Sequence, residues 1–323
     1  MIHGGFYILS TEPLIIATIA QYPFYRGKFA LSRKAGENNI PEWLKPKYVL
    51  QNVAGWCVPW HRMARHKFRQ IRHLLDGRSL HLMVSAIDED QVRRRFFIPG
   101  GHFSHNIFIN EHLYRPLPEP KTYDAIYTGQ LQPFKRHWLA KDIKSLMVVS
   151  YGGDLHAYCP ELKHADFNRD FLPRPELAKK YNQSWAGLCL SAEEGAMLAS
   201  CEYLFCGIPV VSTPSKGGRD EFFDEFNSII VPPEPAAVAK AVEKWKSTPP
   251  DPHQIREHTL QKVIPLRKEY CTYVSRLIQQ AGGPKKEAEE LMEKYFAAPD
   301  GFTSRFVKHG DLKTVNLADF SLN

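Results

Sequence analysis

Residues 188–231 read LCLSAEEGAMLASCEYLFCGIPVVSTPSKGGRDEFFDEFNSIIV, and this stretch decides the fold. A short apolar run leads into Ser-Ala-Glu-Glu-Gly, which predicts a strand that ends in a turn. A compact helix is predicted over 196–206, because Gly207 would end it and Pro209 would prevent its continuation. The second apolar run, 209–212, predicts another strand. Strand, turn, helix and strand in this order indicate part of a parallel sheet.

The same alternation extends outward over residues 123–246. The predicted strands are 125–128, 146–150, 187–190, 209–212 and 228–231, and the predicted helices are 135–144, 175–182, 196–206 and 236–246. Such alternation is typical of an α/β fold in which helices cover both faces of a parallel sheet. Ligands of these sheets lie at the carboxyl ends of the strands, so the chemistry is expected in the loops that lead from strands to helices.

Two glutamates in the opening stretch, Glu194 and Glu202, have a spacing that places them in different elements. Eight residues at 100° each put them about 80° apart on an ideal helix, so they would not share one face. The spacing fits a loop glutamate followed by a helix glutamate, with Gly195 allowing a tight turn. The free N–H groups near Ala196 and Met197 would then attract an anion such as a diphosphate. The alternative is a capping carboxylate followed by an unrelated surface glutamate.

The wider pattern resembles a known family. Glu-x7-Glu, then Cys-Gly-Ile-Pro-Val-Val and Gly-Gly-Arg-Asp-Glu, resembles the signature of retaining, nucleotide-sugar-dependent glycosyltransferases of the GT-B group, group-1 type. Gly129-Gln130-Leu131-x3-Lys135 is similar to that family's Gly-Arg-Leu-x3-Lys element, and residues 227–233 resemble its Asn-Gly-Leu-Leu-Val-Pro-Pro run. The resemblance implies a GT-B fold, in which two Rossmann-like domains with parallel sheets flank a cleft.

The resemblance also implies roles for individual residues. Glu194 would bind hydroxyls of the donor sugar, Glu202 would bind the ribose hydroxyls, and Lys135 would neutralise the departing diphosphate. Lys135 and Glu194 are thus the candidate catalytic residues. The other positions implied at the donor are Gly129, Gln130, Gly152, Gly153, Gly195, Ala196, Met197, Gly217 and Gly218, with Glu221 beside the last two.

The implied reaction is the transfer of a sugar, with retention, from a UDP- or GDP-sugar to a glycan, lipid-linked or small-molecule acceptor. No cofactor and no metal are expected beyond this co-substrate, because fixed cations and helix N–H groups would stabilise the departing diphosphate without a metal. Gln130 stands where the family has arginine; Arg136 is a candidate substitute, although its side chain is expected to point elsewhere on the predicted helix. Two alternatives remain open: a non-catalytic module that binds nucleotide-sugar or glycan, and an enzyme of the epimerase type.

The first domain carries a basic helix over 61–75. Ala64, Phe68, Ile71 and Leu75 recur at helical spacing and predict the buried face, whereas arginines and a lysine fill the other face. One interpretation is a solvated helix packed on its own sheet. The other is a surface for anionic lipid or an acidic acceptor, consistent with the net charge of +7. A nucleic-acid partner is not expected, because aromatic residues do not alternate with the basic ones.

The expected domains are 1–115 on the acceptor side, 116–283 for the donor, and 284–323 as a C-terminal helix and tail that packs back on the first domain. An acceptor-side histidine is expected in this family, and His61, His105 and His3 are the candidates, with no order among them. The six cysteines lack short paired spacing, which indicates a reducing compartment. The expected location is cytoplasmic, with peripheral contact at a membrane surface.

Overall fold

The computed structural model describes residues 5–19, 43–53 and 55–322. The chain divides into two compact units: unit 1 contains 1–110 and 265–323, and unit 2 contains 111–264. The sequence boundaries were expected at 115 and 283, so the C-terminal segment of unit 1 begins earlier than expected. His3 lies outside the described residues.

The strands, in chain order, are β1 (Gly5–Thr11), β2 (Leu14–Ile19), β3 (Tyr48–Asn52), β4 (Ser79–Val84), β5 (Gly100–His102), β6 (Tyr123–Thr128), β7 (Leu146–Val149), β8 (Asp166–Phe167), β9 (Ser184–Cys189), β10 (Val210–Ser212), β11 (Ser228–Ile230) and β12 (Phe306–Lys308). The α-helices are α1 (Trp60–Leu75), α2 (Ile87–Arg95), α3 (Leu155–Tyr158), α4 (Arg174–Asn182), α5 (Leu198–Phe205), α6 (Pro235–Ser247), α7 (Pro252–Gln280) and α8 (Ala288–Met292). None of the helices in the described ranges is long and apolar enough to cross a membrane.

Unit 1 is built on a six-stranded sheet in the order β12-β1-β2-β3-β4-β5. The strands from β2 to β5 run parallel, whereas β1 pairs antiparallel with both β2 and β12. One apolar cluster gathers Phe6, Ile8, Ile16, Val49 and Leu80 on this sheet. The C-terminal strand β12 therefore completes the sheet that the N-terminal strand begins.

The face of α1 that is buried differs from the face that the sequence predicts to be buried. Phe68 is 62% exposed, Ile71 44% and Leu75 82%. The side chains that face the sheet are instead Met63, His66, Gln70 and His73. Met63 packs into an apolar cluster with residues that include Cys57, Leu82, Val84 and Ile98, and this contact fixes which face of the helix is buried. The prediction of an amphipathic helix is confirmed. The prediction that its apolar side packs against the core is wrong.

Unit 2 has a six-stranded sheet in the order β11-β10-β9-β6-β7-β8, with every pair parallel. The five strands predicted for this region are confirmed, as are the three helices that became α4, α5 and α6. The chain leaves β6 toward one edge of the sheet and returns to the other side of β6 at β9. This is the doubly wound arrangement of dinucleotide-binding domains.

The helix predicted over 135–144 is wrong. Two short 3₁₀ turns, Pro133–Lys135 and His137–Ala140, occupy this segment, and Arg136 lies between them in the left-handed conformation with φ 54°. A left-handed residue interrupts a right-handed helix, so Lys135 and Arg136 lie on a turn. Their side chains are therefore placed independently of helical periodicity.

Candidate functional site

The strand order of unit 2 points to one edge of its sheet. β6 and β9 are neighbours, and the chain continues from them in opposite directions across the sheet. In open α/β sheets, ligands bind at such a reversal point, beside the loops that follow the two strands. The loop after β6 contains Lys135, and the loop after β9 contains Glu194.

The structure brings Lys135 and Glu194 into direct contact. The Lys135 ammonium donates to Oε1 of Glu194, and the two side chains are 7% and 14% exposed. The second carboxylate oxygen of Glu194 accepts a hydrogen bond of 2.6 Å from the Ser191 hydroxyl. The two loops are also joined through the backbone, because the N–H of Ala192 donates to the carbonyl of Phe134 at 2.9 Å. The pair is thus held in place by its surroundings.

Aromatic hydroxyls fix the end of β6 beneath this pair. The Tyr127 hydroxyl donates to the carbonyl of Lys135. The N–H of Thr128 donates to the Tyr203 hydroxyl at 2.8 Å, and Tyr203 comes from α5. Both tyrosines are fully buried. The end of β6 is therefore linked by hydrogen bonds to the Lys135 carbonyl and to α5, which is distant in sequence.

Gly217 lies against the backbone of Glu194. Its φ is +105°, and a Cβ at this position would stand 1.8 Å from the carbonyl oxygen of Glu194. The preceding residue, Lys216, accepts the N–H of Glu194 at 2.8 Å. Only glycine combines this backbone conformation with this close approach. The expectation that the Gly-Gly loop helps to shape the donor site stays a prediction, but the loop does determine where the Glu194 backbone lies.

Arg219 is a central residue that the sequence reasoning missed. It is 0% exposed, and its guanidinium donates to the Ser191 carbonyl at 2.8 Å and to the Ser212 hydroxyl at 2.7 Å. It also forms an ion pair with Asp220 at 2.7 Å. Arg219 thereby links the loops after β9 and β10. Its place in Gly-Gly-Arg-Asp-Glu is the one sequence signal that singled it out.

Arg136 reaches the same edge of the sheet, contrary to the expectation that its side chain points elsewhere. Its guanidinium donates to the Leu190 carbonyl at 2.6 Å and to the Thr213 hydroxyl at 2.7 Å. Within the described part of the chain, the hydrogen-bond partners of Arg136 are all neutral oxygens, the third being the Pro214 carbonyl. Burial, followed by the charge of Arg219, lowers the pKa of Arg136. Among the described residues, Arg136 is therefore a cation without a carboxylate partner, and it adjoins Lys135 in the sequence.

The backbone after Glu194 offers hydrogen-bond donors. The residues Gly195, Ala196 and Met197 precede α5, and within the described residues their N–H groups donate no hydrogen bond. Met197 is the N-cap of α5 and the other two residues lie just before it, near a helix N-terminus where the helix dipole favours negative charge. Together with Arg136 they make this edge of the sheet suited to an anion.

Glu202 has its own set of partners on α5. Its carboxylate accepts a hydrogen bond of 2.8 Å from the Tyr181 hydroxyl and another from Tyr114. Burial raises the pKa of Glu202, and the two hydroxyls and Arg174 oppose that increase. The hydrogen-bond partners of Glu202 and Glu194 in the described chain are different residues, and one glutamate lies in a loop and the other in a helix, as the spacing predicted.

The remaining donor-side glycines lie in turns at the same edge. Gly152 and Gly153 follow β7 with φ of 92° and 87°, so both need the conformational freedom of glycine. The N–H of Gly129 donates to the Val149 carbonyl at 2.9 Å. Gln130 is exposed. Gly218 begins the short turn Gly218–Asp220 that carries Arg219.

The two described histidines that were predicted on the acceptor side differ in environment, and both belong to unit 1. His61 is exposed on α1. His105 is 3% exposed, and burial lowers its pKa to about 4. His105 is therefore an enclosed, neutral side chain at neutral pH. Among the described residues, no group of three or more His, Cys, Asp or Glu side chains is arranged to hold a metal ion.

The sequence of unit 2 now allows a comparison with known families. Residues 167–262 match the family model described as glycosyl transferases group 1. This segment is a group-1 glycosyltransferase domain. The matched residues include Glu194, Glu202 and the loop 217–219, whereas Lys135 and Arg136 precede them. The match confirms the expected family and the expected class of enzyme, a glycosyltransferase. No curated protein sequence matches the chain.

Solved structures share the fold of the chain. Sucrose-phosphate synthase from Thermosynechococcus elongatus is 16% identical with a TM-score of 0.55, over 82% of this chain and 73% of that one. HepE from Anabaena, in complex with UDP-glucose, is 12% identical with a TM-score of 0.56, over 80% of this chain and 78% of that one. Together with the two mostly parallel sheets, these likenesses show that the chain has the GT-B fold.

Proposed function

We propose that this chain transfers a sugar from a UDP- or GDP-sugar to a hydroxyl group of an acceptor, with retention at the anomeric carbon and without a metal. The observation that carries the proposal is the contact between Lys135 and Glu194 at the reversal point of the unit 2 sheet. Beside it lie an arginine with neutral partners, Arg136, and the three backbone N–H groups of 195–197.

The cationic groups suit the diphosphate of the donor. As the bond between the anomeric carbon and the diphosphate breaks, negative charge grows on the departing phosphate. Lys135, Arg136 and the N–H groups of 195–197 are fixed in advance, so they can stabilise this charge with little reorganisation. Arg136 would supply the positive charge that the family places at position 130, where this chain has Gln130.

Glu194 suits the hydroxyl groups of the donor sugar. A carboxylate accepts hydrogen bonds and cannot donate them when ionised, so it selects hydroxyl donors. Its two oxygens are held by Lys135 and Ser191. This arrangement favours a role in binding and orientation over one as a covalent nucleophile. HepE was solved with UDP-glucose, which supports a uridine nucleotide as the first donor to test.

Retention is proposed as attack from the face that the diphosphate leaves. The acceptor oxygen forms a bond to the anomeric carbon while the bond from that carbon to the phosphate oxygen breaks. The acceptor's proton passes to the departing phosphate oxygen, which has gained the electron pair of the broken bond. Lys135 and Arg136 stabilise that oxygen during the transfer.

The donor site can be tested by ligand binding and turnover. UDP-, GDP- and ADP-sugars are added to the chain in a thermal-shift series, because a ligand bound only by the native state raises the unfolding temperature. The sugar that shifts the chain is then assayed with glycan, lipid-linked and small-molecule acceptors. Glu194→Gln should lower kcat at least about 100-fold. Glu176→Gln, which removes an exposed carboxylate paired with Lys179, is the matched control.

The outcomes separate the proposal from its alternatives. If no nucleotide-sugar raises the unfolding temperature, the donor site is wrongly assigned. Binding without turnover for every acceptor would make the chain a nucleotide-sugar-binding module. Conversion of the donor in the absence of an acceptor would indicate an epimerase-type reaction.

The proposal also includes the cellular compartment in which the acceptor is found. The six cysteines are all buried free thiols, which supports a reducing compartment, so we place the reaction in the cytoplasm. Peripheral contact with an anionic membrane would bring the chain to lipid-linked acceptors.

A further inference from the structure

The most unusual surface of unit 1 is the outer side of α1. Five large apolar side chains there are 44–82% exposed, and we call them the apolar face: Trp60, Phe68, Ile71, Leu74 and Leu75. At 100° per residue they span an arc of about 120°. The buried residues Met63, His66, Gln70 and His73 occupy the arc that begins next to Leu74. The apolar face is thus a strip on an exposed helix surface, with Lys67 between Leu74 and Trp60.

Basic residues lie directly beside the apolar face. Arg65 and Arg72 are exposed and follow Phe68 around the helix, and the Arg72 guanidinium lies 5.9 Å from the centre of the Phe68 ring. The residues 60–75 include four arginines and one lysine, and no aspartate or glutamate. The exposed side of α1 is therefore half apolar and half cationic.

Phe97 extends the apolar face beyond the helix. It is 84% exposed and has a φ of 50°, a left-handed conformation that costs a residue with a side chain about 1–3 kcal/mol. The Lys67 ammonium, which adjoins Leu74 around α1, donates to the Phe97 carbonyl at 3.1 Å and to Gln70 at 2.8 Å. An exposed ring in a strained loop is thereby tied to the same surface.

The positive charges on the exposed side of α1 indicate which partner it binds. A second copy of the chain would place the same cationic strip opposite itself, and like charges across an interface repel. An anionic lipid surface is complementary to both halves: the apolar side chains enter the boundary between headgroups and acyl chains, and the arginines contact the lipid phosphates. Tryptophan and phenylalanine suit that boundary because their rings are large and partly polarisable.

We propose that the apolar face of α1, together with Phe97 and the flanking Arg65 and Arg72, docks unit 1 on the surface of a membrane that contains anionic lipids. The contact is peripheral and reversible, because one helix face inserts shallowly and leaves the buried face of α1 on its sheet. The proposal does not depend on the sugar donor, since the residues that carry it belong to unit 1 and the donor-site residues belong to unit 2.

Cosedimentation of the full chain with vesicles tests the surface. Vesicles of phosphatidylcholine mixed with phosphatidylglycerol should bind the chain at low salt, and vesicles of phosphatidylcholine alone should bind it much less. The double variant Phe68→Ser/Leu75→Ser should lower the partition coefficient at least about tenfold. The double variant Arg65→Gln/Arg72→Gln should lower it about 30-fold at low ionic strength and reduce its dependence on salt.

A matched control keeps the result specific. Phe171→Ser removes a ring that is 75% exposed in unit 2, and it should bind vesicles as the original chain does. Thermal unfolding of each variant shows whether it is folded, and all the replaced side chains are exposed, so little change is expected. Transfer to a water-soluble acceptor should be unchanged in the vesicle-binding variants, which separates a failure of docking from a failure of the donor site.

Three results would overturn the proposal. The first is no binding to anionic vesicles at low salt. The second is equal loss of binding in Phe171→Ser and in Phe68→Ser/Leu75→Ser. The third is a self-associated chain that becomes monomeric in Phe68→Ser/Leu75→Ser without any vesicle binding, which would assign the apolar face to a second copy.

Discussion

The ammonium of Lys135 donates to the carboxylate of Glu194 across 59 residues of sequence. The two side chains lie at the ends of neighbouring strands, and both are largely buried. A buried ion pair is costly to desolvate, and its members depend on each other for compensation. The ion pair lies where a ligand is expected, so it places a positive and a negative charge where a polar substrate would bind.

Removing one member of this pair should destabilise the chain more than removing both. Lys135→Met or Glu194→Gln alone leaves one buried charge without its partner, at a cost of about 3–5 kcal/mol in the free energy of unfolding. The double variant should recover more than half of that loss, because no unpaired charge remains. Urea unfolding of the four proteins measures the coupling. Additive losses would show that the two side chains do not compensate each other.

Gly217→Ala should distort the Glu194 backbone. The new Cβ would meet the Glu194 carbonyl at 1.8 Å, and the φ of +105° disfavours any side chain. We expect a loss of at least about 2 kcal/mol in unfolding free energy, together with weaker binding of the sugar donor.

Gly152→Ala is the comparison for that stability loss. Its φ is +92°, but a Cβ there meets nothing within 4 Å. It should lose only about 1 kcal/mol, because conformational strain acts without a steric clash. Equal losses in the two variants would show that the contact with Glu194 contributes nothing.

Arg136 and Gln130 allow a rescue experiment. If Arg136 supplies the phosphate charge, Arg136→Gln should weaken binding of UDP about tenfold or more, because a charge-assisted hydrogen bond is lost. Gln130→Arg in that background should restore part of the affinity. Titration calorimetry with UDP measures both, and Lys141→Gln, an exposed cation in the same segment, should have no effect. Unchanged affinity in Arg136→Gln would remove Arg136 from the site.

Buried histidines should make stability depend on pH. Burial lowers the pKa of His66 and His73 from 6.5 to about 4. Below pH 6.5 the unfolded chain binds protons that the folded chain does not, so stability falls as the pH drops from 6.5 toward 4 and levels off below that. Each such histidine contributes up to about 2 kcal/mol of loss between pH 6.5 and 5.

His66→Gln should reduce this pH dependence. A glutamine does not titrate, so the difference in unfolding free energy between pH 7 and pH 5 should shrink relative to the original chain. His61→Gln, at an exposed position of the same helix, should leave the difference unchanged. An identical pH profile in His66→Gln would mean that the pKa of His66 is the same in the folded and unfolded chains.

The sheet of unit 2 could be predicted because its central strands, β6, β7, β9 and β10, are buried on both faces. Their runs, such as 146–149, are apolar, and Gly207 and Pro209 mark where a helix must end. The separation of Glu194 from Glu202 followed from helical geometry alone. Local sequence was sufficient wherever burial and chain breaks determined the structure.

Other features depend on contacts that local sequence does not contain. Arg136 interrupts the helix predicted over 135–144 because its left-handed backbone lets the side chain reach Leu190 and Thr213. Arg219 is buried, and its guanidinium donates hydrogen bonds to Ser191 and Ser212, which lie 28 and 7 residues earlier in the sequence. In α1, the spacing of Phe68 and Ile71 predicted an amphipathic helix. The face that is buried is instead determined by the packing of Met63 in an apolar cluster with residues of other segments.

The composition of unit 1 from two separate segments has a consequence for biosynthesis. Unit 2 is one continuous segment, 111–264, so it can form as soon as that segment has left the ribosome. Unit 1 must wait, because β1 acquires its partner β12 only when residues 306–308 have been made. Until then that edge of β1 is unpaired, and an unpaired strand edge is a template for pairing with another chain.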